Sequence, residues 1–368
     1  MQISKWKRIV IKVGSALIAP HGNGCSSHYL LSIAQFIVRC REQNIEVVLV
    51  SSGSIAAGSH LFPGEVKNIA TKKAMAAAGQ TEMMATWDKL FDFPTAQILL
   101  THADLKDRER YTSVRETLFS LLEYGLLPIV NENDTIVTDK LKVGDNDNLS
   151  AMIATAADAD ALIICSDIDG LYTANPQVDK KAKLIPQVAE INDEIYAMAG
   201  GVTSSVGTGG MKTKIQAAKK AVSHGITTYI VNGFTEQSFN TLLQGGNPGT
   251  VFLPEQNPLK ENIHWMTHTA SAQGEVVIDC NSSPELADDP SKLKSEEIVS
   301  VNGEFAIGDT VLLTNNDGTK VAKAEVNYSS CLLSYLSEQT LDVEAQENLT
   351  TKGPIISDKN IAILNKSE

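Results

Sequence analysis

Arg8-Ile9-Val10-Ile11-Lys12-Val13-Gly14-Ser15 decides the fold. Its four β-branched aliphatic residues favour an extended chain buried on both faces, as in a parallel sheet covered by helices. The lysine at its end, with a glycine close behind, should point into a ligand crevice rather than into bulk solvent. Working outward, the pattern returns: 46–50 (EVVLV), 96–100, 126–130, 161–165 and 227–231 read as further short strands. Helical patterns lie over 29–41, 69–90, 110–124, 149–157 and 211–224. Apolar strands alternating with helices predict an α/β fold, a mostly parallel central sheet with helices on both faces. Ligands collect at the carboxyl ends of strands in such a sheet, and there the polar clusters fall. Lys12 to Ser15 close the first strand and Ser51-Ser52-Gly53 the second; Asn131-Glu132-Asn133-Asp134 follow 126–130, and Ser166-Asp167 follow 161–165.

A chain of 368 residues exceeds one ordinary core and suggests two domains. After about 258 the helical periodicity fades, and β-like runs appear at 275–278, 298–301, 310–313 and 322–326. Asn316-Asp317-Gly318-Thr319 reads as a hairpin turn between two of them. The expected division is an α/β catalytic domain over 1–258, a linker over 259–274, a small β-rich domain over 275–354 and a loose tail over 355–368. No apolar run approaches the roughly 18 residues of a membrane span, and no leader pattern opens the chain, so a cytoplasmic protein is expected. Five scattered cysteines without a C-x-x-C pair argue against a disulfide framework or a zinc knuckle. His264 and His268 stand four apart with no evident third ligand, so no metal site is expected. The net charge of −13 disfavours nucleic-acid binding. An anionic ligand must then be held by a few well-placed lysines.

Lys142-Val143-Gly144-Asp145-Asn146-Asp147-Asn148-Leu149-Ser150 sets two carboxylates and two carboxamides on a turn before an apolar helical run. Each would rather be solvated than crowded, so together they suit the orientation of a cation-rich ligand or small polar substrate. The plainer role is a surface turn with Asp147 or Asn148 as helix N-cap. Gly207-Thr208-Gly209-Gly210-Met211-Lys212-Thr213-Lys214 is a Gly-rich loop opening a helix, whose N–H groups suit phosphate oxygens. It is not a Walker A loop, because Val206 and Met211 replace both required glycines. Two lysines converging on one crevice would suit a transferring phosphoryl group. Asp167-Ile168-Asp169-Gly170-Leu171-Tyr172 suits a nucleotide pocket, although Asp169-Gly170 is equally a plain turn. His60, His102 and Asp104 have no acid–base partner by spacing.

The runs IKVGS, VSSGSIAAG, NENDTIVTDKLKVGDNDNLSA, SDIDGLYTANP and GTGGMKTK together resemble the glutamate 5-kinase family, of the amino acid kinase fold, over residues 7–255. The resemblance implies ATP-dependent phosphorylation of the γ-carboxylate of L-glutamate, the first step of proline synthesis. It implies that Lys12 and Lys214 hold the ATP phosphates and the transferring phosphoryl, with Asp147 orienting them. Ser52, Asp134 and Asn146 match glutamate-binding positions. Ser166, Asp167, Thr208, Gly209, Gly210, Met211, Lys212, Thr213 and Lys214 match nucleotide-binding ones, with Ser166 where a threonine is also seen. Mg2+ would bridge the phosphates, largely through phosphate oxygens and water. A carboxylate acceptor is already ionised, so the want of a catalytic histidine is consistent. Through Ile298-Val299-Ser300-Val301-Asn302-Gly303-Glu304-Phe305 and Gly308-Asp309, the C-terminal part resembles, more weakly, a PUA domain. From Glu275 onward 17 Asp and Glu stand against 7 Lys and Arg, a net of −10, which suits regulation or assembly better than RNA binding. The resemblance further implies proline feedback inhibition, a dimer or tetramer, and a separate glutamate-5-semialdehyde dehydrogenase to consume the acyl phosphate. The competing readings are a catalytically silent amino acid or RNA sensor on this fold, and a kinase for another small acid.

Overall fold

The computed structural model describes residues 6–64, 68–136, 146–199, 210–280, 282–338 and 354–364. The chain divides into two units, Met1–Pro258 and Leu259–Glu368.

Unit 1 runs β1 (Arg8–Val13), α1 (Ser15–Ile18), α2 (Ser27–Glu42), β2 (Glu46–Ser51), α3 (Ser54–Gly58), α4 (Ile69–Asp88), β3 (Thr95–Leu100), α5 (His102–Lys106), α6 (Arg108–Glu123), β4 (Leu127–Glu132) and α7 (Asn146–Ala156). It continues through β5 (Ala161–Ser166), β6 (Gln187–Val188), α8 (Asp193–Met198), α9 (Met211–Ser223), β7 (Thr227–Asn232), α10 (Glu236–Leu243) and β8 (Thr250–Phe252). The described strands form one sheet in the order β3-β4-β2-β1-β5-β7-β8-β6. Every pair is parallel except β7 with β8. The expected α/β architecture is therefore present, with strand ends one or two residues beyond the apolar runs. Asn131 and Glu132, expected after the fourth strand, lie within it, because buried polar side chains at a strand end still extend the ladder.

Period-two alternation decides which way Lys12 points. Ile9, Ile11 and Val13 enter a core with Leu30, Ile33, Phe36 and Ile37 of α2. Each of those four α2 side chains is essentially inaccessible to solvent, contributing about 1.5–3 kcal/mol by burial. Lys12 therefore faces the other side of the sheet, where α7 packs on β1, β2, β4 and β5. β1 stands between β2 and β5, and the chain crosses from one side of it to the other through α7. That reversal opens a crevice at the carboxyl ends of β1 and β5. Gly53 stands at φ 101° between β2 and α3, and a Cβ there would meet the Ile18 side chain at 2.8 Å.

Unit 2 holds α11 (Glu261–His268), β9 (Gly274–Ile278), β10 (Ile298–Asn302), β11 (Thr310–Asn315), β12 (Lys320–Val326), α12 (Ser330–Glu338) and β13 (Ile356–Ile363). Its sheet runs β10-β9-β11-β12-β13, antiparallel except for β9 with β11. The expected hairpin joins β11 to β12, with Gly318 at φ 81°. Two expectations need correction. The stretch 259–274 is not a bare linker, since α11 packs on β12 and β13. The supposed tail contributes β13, paired to β12, because Ile356 and Ala362 have an apolar core to enter. None of the described helices is long and apolar enough to cross a membrane.

Candidate active site

Asp147 lies in the first turn of α7, a helix buried along its whole length. The helix therefore already holds Asn146, Asp147 and Asn148, ahead of the expected start at 149, while Lys142 to Asp145 lie outside the described residues. Lys12 Nζ stands 2.6 Å from Asp147 Oδ1, and Lys214 Nζ 3.3 Å from Oδ2. Thr213 donates its hydroxyl to Oδ2 at 2.7 Å. Burial opposes a charge on Asp147, but Lys12 and then Lys214 outweigh it and hold the carboxyl well below the usual carboxylate range. The helix N-terminus works in the same direction. The three ions leave one net positive charge in a buried crevice. At an effective dielectric of about 20 each attraction is about 5 kcal/mol, while removing an ion from water costs several kcal/mol. The two nearly cancel, so the triad adds little to stability; what it provides is a fixed cationic site for an anion.

Lys214 also lines an open cleft with Ser166, Asp167, Tyr172, Pro176, Met198, Gly210 and Met211. The same lysine thus touches both the triad and a space bordered by the end of β5 and the start of α9. Gly210 is the N-cap of α9 and no side chain caps it, so the first-turn N–H groups suit phosphate oxygens. Ser166 donates to Asp167 Oδ1 at 3.1 Å. Asp169 is occupied structurally, accepting from Tyr172 at 3.0 Å and Asn232 at 2.9 Å. The neighbouring Gly170 is required by close approach, since a Cβ would stand 2.5 Å from Thr250 Oγ1.

On the other side of the triad a polar group gathers at the ends of β2 and β4. Ser52 is buried beyond β2, and its N–H bonds Val13. Ser54 donates to Asp134 Oδ2 at 2.8 Å. Burial pushes the Asp134 carboxyl up to about 6; the Ser54 bond opposes this in part, and Glu132 adds to it. Asn146 donates to Asn131 Oδ1 at 3.2 Å, and Asn131 donates to Gln80 Oε1 at 2.9 Å. Asp134 Oδ1, Asn146 Oδ1 and Gln80 Nε2 are buried with no hydrogen-bond partner among the described residues.

The structure thus brings Lys12, Asp147 and Lys214 together, gathers Ser166, Asp167, Gly210, Met211 and Lys214 around the cleft, and sets Asp134 near Ser54. Thr213 turns to Asp147, and Lys212 is exposed and does not line the cleft. Asp145, Thr208 and Gly209 lie outside the described residues. His60 bonds the Ala57 carbonyl, His102 faces Glu132, and Asp104 closes a capping box with Thr101. His102 thus has a carboxylate neighbour that its spacing in the sequence did not show. Cys165, at the end of β5, has its thiol pushed up to about 12 by burial and is no nucleophile. The sequence reading missed Gln80, Ser54 and Asn131 as site residues. Asn131 sat within a strand-end run and Ser54 within the VSSGSIAAG run, both already singled out, whereas Gln80 lies on an Ala-rich helix and carried no such signal.

A model of the amino acid kinase family matches residues 7–232. The chain is similar to glutamate 5-kinase 1 of Pseudoalteromonas translucida, with 61% identity over 98% of this chain and 99% of that one. It is similar to glutamate 5-kinase of Idiomarina loihiensis, with 51% identity over the full length of both. Among solved structures it is similar to UMP kinase from Bacillus anthracis, with 15% identity and a TM-score of 0.48, covering 68% of this chain and 98% of that one.

Proposed function

Because this chain belongs to the amino acid kinase family and, within it, to the glutamate 5-kinases, we infer that it phosphorylates L-glutamate with ATP. The reaction gives L-glutamyl 5-phosphate, the first step of proline biosynthesis. A γ-carboxylate oxygen attacks the γ-phosphorus, the bond to the β,γ-bridging oxygen breaks, and ADP leaves. The observation that carries the site assignment is the buried Lys12–Asp147–Lys214 triad beside the cleft. Catalysis here is positioning and charge neutralisation. Lys12 and Lys214, fixed by Asp147, neutralise the phosphoryl oxygens as charge shifts towards ADP. No residue need remove a proton, because the acceptor carboxylate is ionised at neutral pH.

The nucleotide fits the cleft, with phosphates towards the start of α9 and Lys214. Mg2+ would enter with the nucleotide as a phosphate-bound ion, held largely by phosphate oxygens and water. It would supply further neutralisation of phosphate charge. Glutamate fits the polar group around Asp134 and Asn146, whose buried acceptor atoms match its ammonium. Proline inhibition, assembly into dimers or tetramers, a cytoplasmic location and a partner dehydrogenase belong to the same reading, supported by the family alone.

The test is ADP release with Mg-ATP and L-glutamate, with hydroxylamine trapping the acyl phosphate. Glutamate-dependent turnover that disappears in Lys214→Ala is expected. Folded protein that turns over aspartate or N-acetylglutamate instead would assign another acceptor, and one that turns over none would make it a sensor.

A further inference from the structure

The amide network beside Asp134 has a polarity that one backbone group fixes. The N–H of Glu132 bonds Asn131 Oδ1 at 2.8 Å, and an N–H can only donate. That end of the Asn131 amide is therefore its oxygen, and the amino group lies at the other end. The amino group meets Gln80 at 2.9 Å, so Gln80 must present its own oxygen there and turn Nε2 away. Asn146, meeting the same Asn131 oxygen at 3.2 Å, must donate through Nδ2 and turn Oδ1 away. The outward atoms that result are Gln80 Nε2, a donor, and Asn146 Oδ1, an acceptor. Both are buried without a partner among the described residues, as is Asp134 Oδ1.

One donor and two acceptors, one of them on a carboxylate, complement the α-carboxylate and α-ammonium of an amino acid. Position in the sheet settles which carboxylate is meant. The reacting group must lie at Lys12, on β1, whereas Asn131 is on β4, two strands away, or about 10 Å. Gln80, on α4, is reached through Asn131. The reacting γ-carboxylate belongs at the triad, and the opposite end of the substrate reaches the amides. We propose that Gln80 is a specificity residue, donating Nε2–H to the α-carboxylate of glutamate while Asn146 Oδ1 and Asp134 Oδ1 accept from the α-ammonium. The assignment rests on the glutamate-kinase reading above and adds a residue and a direction to it.

The full-length enzyme is compared on L-glutamate and L-isoglutamine, which keeps the reacting carboxylate and the amine but carries an α-carboxamide. Preference is read from mixed-substrate competition, so that a slow substrate still yields a ratio. Gln80→Met should lower kcat/KM for glutamate about 10–100-fold, as expected for loss of a hydrogen bond to a charged group, and change isoglutamine little. Gln80→Glu should shift the ratio further towards isoglutamine, because its carboxylate repels one ligand and accepts from the other. A parallel loss on both substrates, or an unchanged ratio in both variants, would overturn the proposal. If the wild-type protein makes no acyl phosphate from glutamate, the activity reading fails by itself. Calorimetric binding of the two ligands to wild type and Gln80→Glu then decides the Gln80 assignment: the same shift in affinity supports it, and an unchanged ratio overturns it.

Discussion

Asp147 holds two ammonium groups with one carboxylate, and its replacement separates charge from shape. Asp147→Asn keeps the volume but leaves Lys12 and Lys214 buried without their shared anion. We expect kcat to fall by about 10²–10³, and stability to fall by about 3–5 kcal/mol, as when one partner of a buried pair is removed. Steady-state kinetics and a denaturation midpoint check both; a variant as stable as wild type would mean that the lysines find another counter-charge. Asp134 gives a pH signature. It must be ionised to hold an ammonium, and burial has pushed its carboxyl up to about 6. KM for glutamate should be flat above about pH 7 and rise about tenfold per unit below pH 6. Ser54→Ala removes a bond that favours the ionised form, so it should move this rise to higher pH; a KM profile unchanged in the variant would detach Ser54 from Asp134. For folding the sign differs, because a carboxyl raised above its ordinary 3.8 favours the folded state when protonated. That contribution is complete below pH 3.8 and fades as pH climbs through about 6. At this scale the sequence shows Lys12, Asp147 and Lys214, since charges next to apolar strands or glycine loops stand out. It does not show Gln80, whose meaning depends on a hydrogen bond to a residue 51 positions away.

Helices α3 and α4 show why a site can depend on residues that touch no substrate. Their crossing is close because both carry glycine at it. A Cβ on Gly79 would lie 1.9 Å from the Ser54 carbonyl oxygen, and one on Gly58 would lie 2.1 Å from that of Met75. Backbone atoms cannot rotate away, so Gly79→Ala must separate the helices. The gain in helix propensity is only about 1 kcal/mol, less than the cost of displacing packed backbone, about 1–3 kcal/mol or more. The crossing also sets Ser54 against Asp134 and places Gln80 next to Gly79. We expect the unfolding midpoint of Gly79→Ala to drop by several degrees and KM for glutamate to rise, with KM for ATP changing little. An equal rise in both KM values would show that the crossing supports the whole crevice rather than its glutamate end. The main strands and the longer helices of unit 1 were legible, because burial on both faces writes continuous apolar runs into the sequence. The short elements were not. α1, α3 and α5 have four or five residues each, too few for a helical period to repeat, and β6 has two.

Over the whole molecule, the residues of the triad, the cleft and the amide network all fall between Lys12 and Lys214. The boundary near 258 was legible as a change from helical to β-like periodicity. The role of β13 was not, because its sequence follows a polar stretch and its partner strand is chosen only in three dimensions. Unit 2 has its own apolar core, with Val276, Ile278, Val311, Leu313, Ala322, Ala324, Leu333 and Ile356 buried in it. The described residues of the core built on β1 and α2, with the side chains packed against it, run from Trp6 to Leu243. A chain ending at Pro258 should therefore fold and phosphorylate glutamate with kcat within about tenfold of the full enzyme, the scale on which a disturbance of about 1.4 kcal/mol would register. Hydroxamate formation and a cooperative unfolding transition in the truncated chain are the measurements. A soluble, cooperatively folding 1–258 chain with no glutamate turnover would mean that residues after 258 complete the active site, and the site assignment above would have to be extended to them.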